Sequence, residues 1–287
     1  MKRIMITGAT GQLGKALNNC LDDNKKYKIY LLGFSHADEH IAALDISNQA
    51  AVDAYVDECK PDIIINCASM TAVDLCESER DMAYRLNALG AKYLALAAQR
   101  NGAKLVHIST DYVFDGKASH PYNEEDKPNP ISVYGESKLA GEKFVRQYCM
   151  RHFIIRTAWM YGEGKNFVRT MLSLAQKNSK IRVVADQLGT PTSAPEVAKV
   201  ITYLMETEAY GTYHATCEGF TNWYEFAVNI FREAGLNVEV EPITTAEYPT
   251  AAKRPAYSVL DNKALRERHK YIMADWKEAL HAYMTGN

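Results

Sequence analysis

Several protein classes are excluded by what this 287-residue chain does not contain. Its six cysteines (Cys20, Cys59, Cys67, Cys76, Cys149 and Cys217) form no CxxC pair and no Cys/His cluster. Neither a zinc site nor a disulfide framework is therefore expected. An excess of one charge is also missing. Thirty-three Lys+Arg against 35 Asp+Glu leave a net charge of −2, without the basic face that a nucleic-acid partner demands. No apolar run approaches the roughly 20 residues of a membrane span. Met1-Lys2-Arg3, followed by a short apolar stretch and then glycines, lacks the pattern of a signal peptide. There is no internal repeat, low-complexity tract or Pro/Ser-rich linker. A cytoplasmic globular protein with no nucleic-acid or membrane partner is the expectation.

What is present is an alternation. Lys2–Thr7, Lys28–Leu32, Pro61–Ala68, Lys104–Ser109 and His152–Thr157 are short apolar runs. Helical spacing separates them, over Gln12–Leu21, Asp81–Gln99 and Tyr134–Tyr148. That order predicts an α/β fold, a Rossmann-like parallel sheet flanked by helices whose strands are buried on both faces. Beyond Trp159 the segments shorten, and an amphipathic stretch over Ala274–Tyr283 closes the chain. The expected division is a dinucleotide-binding domain over 1–160 and a smaller mixed α/β substrate domain over 161–287. A segment near 193–206 is expected to return to the first domain.

Between the first strand and the first helix lies Gly8-x-x-Gly11-x-x-Gly14, with Gln12 and Leu13 inside the turn. Glycines there let the backbone approach a pyrophosphate, which the helix N-terminus then holds. An acidic residue about 20 positions on would select NAD. Here the second strand ends Gly33-Phe34-Ser35-His36, and Asp38 and Glu39 come late for that role. Without the acid, Ser35 and His36 are free to donate to a 2′-phosphate, so NADPH is expected over NADH. Asp45-Ile46 and Cys67-Ala68-Ser69 fall where the adenine and ribose side of such a site would be lined, although ordinary loop and strand-end chemistry accounts for each taken alone.

Tyr134 and Lys138 stand four residues apart, on one face of a predicted helix. An ammonium beside a phenol favours the phenolate and brings the group toward a working pH. A tyrosine packed on a lysine stem explains the same spacing. Thr110, at the carboxyl end of the preceding strand, shifts the balance. A hydroxyl, a proton donor and an organising cation are the set that carbonyl reduction requires.

These residues resemble the extended short-chain dehydrogenase/reductase superfamily and, within it, the dTDP-4-dehydrorhamnose reductases. The stretches that carry the likeness are Thr7–Gly14, Thr71-Ala72-Val73-Asp74, Ser109–Gly116 (STDYVFDG), Tyr134-Gly135-x-x-Lys138, Arg156–Gly162, Asn166-Phe167, Asp186–Thr192 and Arg254-Pro255. The resemblance implies reduction of the 4-keto group of a dTDP sugar, in deoxysugar and cell-surface polysaccharide synthesis. It implies that Thr110, Tyr134 and Lys138 are catalytic, with Lys138 also holding the nicotinamide ribose. Asp111, Tyr112 and Trp159 would contact the sugar, and Arg254 is a candidate for the diphosphate or the nearby nucleotide, although a surface arginine before a proline accounts for it equally. Dehydratases of the superfamily carry Asp-Glu where this chain has Asp111-Tyr112, so dehydration is disfavoured. Two other readings stay open. One is a non-catalytic NADP-binding subunit like the regulatory subunit of methionine adenosyltransferase; the other is a reductase of a different 4-keto nucleotide sugar. Magnesium is left unassigned, Glu124-Glu125-Asp126 being read as a solvated loop, and a homodimer is compatible with the sequence.

Overall fold

A computed structural model describes residues 1–22, 25–34 and 40–286. Its centre is a seven-stranded parallel sheet. In chain order the first elements are β1 (Lys2–Thr7), α1 (Gln12–Leu21), β2 (Tyr27–Gly33), β3 (Ile41–Ala43), α2 (Gln49–Cys59) and β4 (Ile63–Asn66). Next come α3 (Val73–Ser78), α4 (Arg80–Tyr84), a π-helical turn (Arg85–Gly90), α5 (Ala91–Asn101), β5 (Lys104–Thr110), α6 (Val133–Tyr148) and β6 (His152–Thr157). Across the sheet the order is Gly211–His214, β6, β5, β4, β1, β2, β3. The direction of winding reverses between β1 and β4, and open α/β sheets bind ligands in the crevice at the carboxyl ends of such strands.

Both faces of the sheet are covered, which is why its strands read as continuous apolar runs rather than alternating ones. On one face Ile4, Ile6, Ile65, Val106 and Ile155 pack against Leu13, Leu17 and Leu21 of α1 and against Val197, Ile201 and Leu204. On the other, Met5, Ile64, Leu105 and Ile154 meet Val52 and Val56 of α2, Leu94 and Ala98 of α5, and Val145 of α6. The expected helix over Asp81–Gln99 is interrupted by the π turn. Buried Asn87 lies in it, accepting from Met70 N–H (2.8 Å) and donating to the Ser137 hydroxyl of α6 (3.0 Å). The extra residue that widens a π turn thus sits where this stretch meets α6, and such turns recur at functional sites.

The later helices are α7 (Phe167–Ala175), α8 (Ala194–Leu204), α9 (Trp223–Glu233), α10 (Lys263–His269) and α11 (Trp276–Thr285). Segment 194–214 lies on the main sheet: α8 packs beside α1, and Gly211–His214 is the edge strand next to β6. A third core gathers Val168, Met171, Phe226, Ile230, Trp276 and Leu280 from α7, α9 and α11. Around it are strand pairs of two to five residues, Lys180–Val184 with Glu239–Ile243 and Leu188–Gly189 with Thr221–Asn222. Among the described residues no helix is long and apolar enough to cross a membrane.

Candidate active site

A cavity of about 720 Å³ opens at the carboxyl ends of the strands. Its first wall is the glycine turn. Gly8 has φ +69°, and a Cβ there would lie 2.6 Å from Ala68 N; one on Gly14 would lie 2.3 Å from Gly8 O. Only glycine lets β1, β4 and α1 meet this closely. Gly11 caps α1 without a side-chain hydrogen bond, so the first N–H groups of the helix face the cavity unclaimed by any side chain. Gln12 and Leu13 complete this wall, and Asp45, Ile46, Cys67, Ala68 and Ser69 continue it. The Gln12 side-chain carbonyl is buried without a partner. A cradle lacking Cβ atoms, a free helix N-terminus and an orphan acceptor together fit a dinucleotide. Ser35 and His36, expected at the 2′-phosphate, lie outside the described residues.

Thr110, Asp111, Tyr112, Tyr134 and Lys138 line the same cavity, from the end of β5 and the first turns of α6. Ser132 starts α6, its hydroxyl accepting from Gly135 N–H. Gly135 lies so near Tyr112 O that a Cβ would approach it to 2.1 Å, which seats Tyr134 beside the strand end. The Thr110 hydroxyl accepts from Tyr112 N–H (3.1 Å) and donates to Asp111 Oδ1 (2.9 Å). Lys138 is buried and donates from Nζ to Ile108 O at 2.6 Å.

Burial dominates the electrostatics of this group. It lowers Lys138 to about 8, Glu142 acting in the opposite sense. It raises Asp111 to about 6 against the Ser258 and Thr110 hydroxyls, and Asp111 Oδ2 is a further buried acceptor without a partner. Tyr134 departs from expectation: burial pushes its phenol upward, and Lys138 is not among the groups that pull it down. The lysine is engaged with the strand carbonyl instead. Tyr134 therefore holds its proton across the neutral range.

A buried ion pair stands behind these groups. Glu142 of α6 accepts from Arg156 of β6 through both oxygens (2.8 Å each) and from the Ser109 hydroxyl of β5 at 2.6 Å. Arg146 adds a further contact at 2.8 Å. Burial opposes the charge of Glu142, but Arg156 overcomes it and holds the carboxyl at about 2. The pair locks α6 to β5 and β6 one turn below Lys138.

Toward the open side, Arg254 donates to the Tyr112 hydroxyl (3.1 Å) and to Asp74 Oδ2 (2.8 Å). Tyr112 in turn meets the Tyr134 ring edge-on, with centroids 5.6 Å apart. The expected diphosphate cation thus also carries a carboxylate and a phenol of its own protein. Trp159 has φ +45°, a conformation that costs a bulky residue about 1–3 kcal/mol. Its indole stacks on Trp223 with ring centroids 3.5 Å apart. Trp223 and Lys165, both lining the cavity, escaped the sequence reading. Trp223 carries no local motif, and Lys165 is an ordinary loop lysine until the fold brings it there.

A family profile for the RmlD substrate binding domain matches residues 1–286. The chain belongs to that family. A curated relative from Aggregatibacter actinomycetemcomitans, named dTDP-4-dehydrorhamnose reductase, is 43% identical, the match covering 98% of this chain and 97% of the relative. The spore coat polysaccharide biosynthesis protein SpsK of Bacillus subtilis is 41% identical, with 99% and 97% covered. Among solved structures, a dTDP-4-dehydrorhamnose reductase of Bacillus anthracis in complex with NADP is 44% identical. It superposes with a TM-score of 0.93 over 100% of both chains. The Clostridium acetobutylicum enzyme of the same name also gives 0.93 at 46% identity, over 99% of this chain and 98% of the other. The RmlD-type fold is shared more widely: a Thermus thermophilus UDP-glucose 4-epimerase superposes at 0.83 with 18% identity, over 99% and 98%.

One expectation is corrected within this RmlD-type chain. Glu124 is not a solvated loop residue; it is half-buried and accepts from His214 N–H and from Ala264 N–H. Its carboxylate ties the loop to the edge strand and to the start of α10. Among the described residues no group of three or more His, Cys, Asp or Glu side chains could hold a metal ion.

Proposed function

We propose that the chain is an NADPH-dependent reductase that converts the 4-keto group of dTDP-4-dehydro-L-rhamnose to the alcohol, yielding dTDP-L-rhamnose. The observation that carries this reading is the meeting of Thr110, Tyr134 and Lys138 in the cavity whose other wall is the glycine turn. The names of the relatives and the NADP held by the Bacillus anthracis enzyme support it. Residues 1–160, joined by 194–214, hold the cofactor, and the remainder forms the nucleotide-sugar side.

Gly8, Gly11, Gln12, Leu13 and Gly14 hold the pyrophosphate, and Lys138 holds the nicotinamide ribose. Ser35 and His36 receive the 2′-phosphate, while Asp45, Ile46, Cys67, Ala68 and Ser69 line the adenine and ribose side. When bound, the cofactor supplies a hydride to C4 of the sugar. Tyr134, kept protonated by burial, gives its proton to the C4 oxygen as charge develops there, an alkoxide being far more basic than a phenolate. Thr110 hydrogen-bonds the same oxygen. Proton donation by a positioned group contributes about 10²–10⁴-fold. Asp111 Oδ2, buried and unpartnered, accepts from a sugar hydroxyl; Tyr112 and Trp159 wall the sugar, and Arg254 reaches the diphosphate side.

The test is NADPH oxidation with dTDP-4-dehydro-L-rhamnose, beside titrations with NADPH and NADH. Turnover is expected, with tighter binding of NADPH. Tyr134→Phe is expected to lower kcat by about 10²–10⁴ while leaving NADPH affinity in place. Absent turnover, with NADP retained and a partner chain co-purifying, would overturn the reductase reading.

A further inference from the structure

Among the described residues three non-glycine positions have positive φ: Lys60, Trp159 and Lys270. Lys60 and Lys270 end α2 and α10, where a left-handed residue is a usual way to close a helix. Trp159 ends no helix; it lies between β6 and the short strand Met160–Tyr161. A tryptophan stays in such a conformation only where its surroundings over-determine it.

Two contacts over-determine it here. Trp223 lies against the Trp159 indole with ring centroids 3.5 Å apart and planes within 9°. A Cβ at Gly189 would come within 2.4 Å of Trp159 Cε2 and 2.7 Å of Nε1, so residue 189 has to be glycine for the indole to fit. Both contacts come from one small unit, because Thr221 pairs with Gly189 and Asn222 with Leu188 just before Trp223. Asn222 caps α9, accepting from Glu225 N–H at 2.7 Å. Phe167 supports Trp223 with ring centroids 4.7 Å apart. The third core thus reaches through Trp223 to a residue two positions beyond β6, and both indoles line the cavity that holds Tyr134.

We infer that Trp223 is a positioning residue for the sugar: it clamps Trp159 in its strained backbone and so fixes the plane of the wall that faces a deoxypyranose ring. This rests on the reductase reading for the identity of the sugar. The mechanics follow from the contacts. Without Trp223 the strain at Trp159 is released by rotation, the wall shifts, and the ring is misplaced relative to Tyr134 while the glycine turn is untouched.

The experiment compares wild type, Trp223→Phe, Trp223→Ala and Trp159→Phe, each in a Trp276→Phe background. The chain has three tryptophans, so the stacked pair then supplies all of the indole signal. Expected are a near-ultraviolet circular dichroism couplet from the two stacked indoles, lost in all three variants, and NADPH affinity within about twofold of wild type. For Trp223→Ala, kcat/KM for the dTDP sugar is expected to fall about 10–100-fold, the scale of a misplacement of about 1 Å. Trp223→Phe, which keeps a ring under Trp159, should recover most of that loss. The inference is overturned if Trp223→Ala leaves kcat/KM unchanged. It is equally overturned if NADPH affinity, Tm and kcat/KM fall together and Trp223→Phe rescues none of them, which is the pattern of a merely structural residue. If wild type fails to reduce the sugar, the reductase reading fails, and the clamp is then judged by dTDP-L-rhamnose, which carries the deoxypyranose ring, titrated on tryptophan emission. Equal affinity for dTDP-L-rhamnose in wild type and Trp223→Ala overturns it.

Discussion

At one end of the cleft the shape is made by backbone, and at the other by side chains. Gly8, Gly11 and Gly14 shape the cofactor end within seven residues of sequence, and a Cβ on Gly8 or Gly14 would collide with main chain. The far end draws Tyr112, Trp159, Trp223 and Arg254 from segments spread over about half the chain, and fixes them by stacking and by an Asp74–Arg254–Tyr112 chain. The difference bears on how each end fails. A backbone cradle has little room to give, whereas a side-chain wall can be retuned one residue at a time.

The largest effect should come from removing the floor that both ends share. Glu142→Gln leaves Arg156, 1% exposed, without its carboxylate. Breaking a buried pair from one side costs about 3–5 kcal/mol, read as a fall in Tm and in the denaturant midpoint. The pH dependence fixes the sign. Glu142 is depressed to about 2 in the folded chain, so its contribution is complete above the ordinary glutamate value near 4.3 and is lost as pH falls toward 2. The variant should lose that part of the acid transition. Unchanged stability would mean that the pair contributes nothing.

Gly14→Ala addresses the cofactor end alone. Its Cβ, 2.3 Å from Gly8 O, forces a backbone shift costing about 1–3 kcal/mol, so NADPH affinity should fall about 5–150-fold. dTDP binding, titrated separately, should hold. If both ligands weaken equally, the two ends are not independent and the contrast between them breaks down. Between the ends, the pH profile of kcat/KM should be bell-shaped. Activity rises through about 6 as Asp111 ionises and offers Oδ2 to the sugar, and falls above about 8 as Lys138 loses its charge. Asp111→Asn should abolish the acid limb and leave the alkaline one; a limb that survives belongs to another group.

The same contrast explains what could be read before any fold was known. The glycine turn, β1, α1 and β6 were legible because their signals are local: spacing within one turn, and apolar runs buried on both faces. Every expected site residue that the structure describes lines one cavity. Trp223 was not legible, because its role exists only through Trp159, 64 positions earlier. The upward push on Tyr134 was missed for a related reason. An i, i+4 lysine suggests a lowered phenol, but tertiary burial outweighs it and a strand carbonyl engages the ammonium. Glu124 looked solvated because its partners, His214 and Ala264, are 90 and 140 residues away.

The smallest effect is the most discriminating at the sugar end. Asp74 and Arg254 are partly exposed, 45% and 26% by side chain, so their ion pair contributes only about 0.2–1 kcal/mol and Asp74→Asn should leave Tm nearly unchanged. Its effect on KM has a sign that separates two roles of Arg254. If the guanidinium serves the diphosphate, removing the competing carboxylate frees its charge, and KM for the dTDP sugar should fall about two- to fivefold. If Arg254 acts only by holding the Tyr112 hydroxyl, losing its anchor loosens Tyr112, and KM should rise as it does in Arg254→Ala. We expect the fall. Arg254 lines the cavity with Tyr112 and Trp223, and its forked guanidinium matches a diphosphate oxyanion in a way that the point charge of Lys165, on the same cavity, does not.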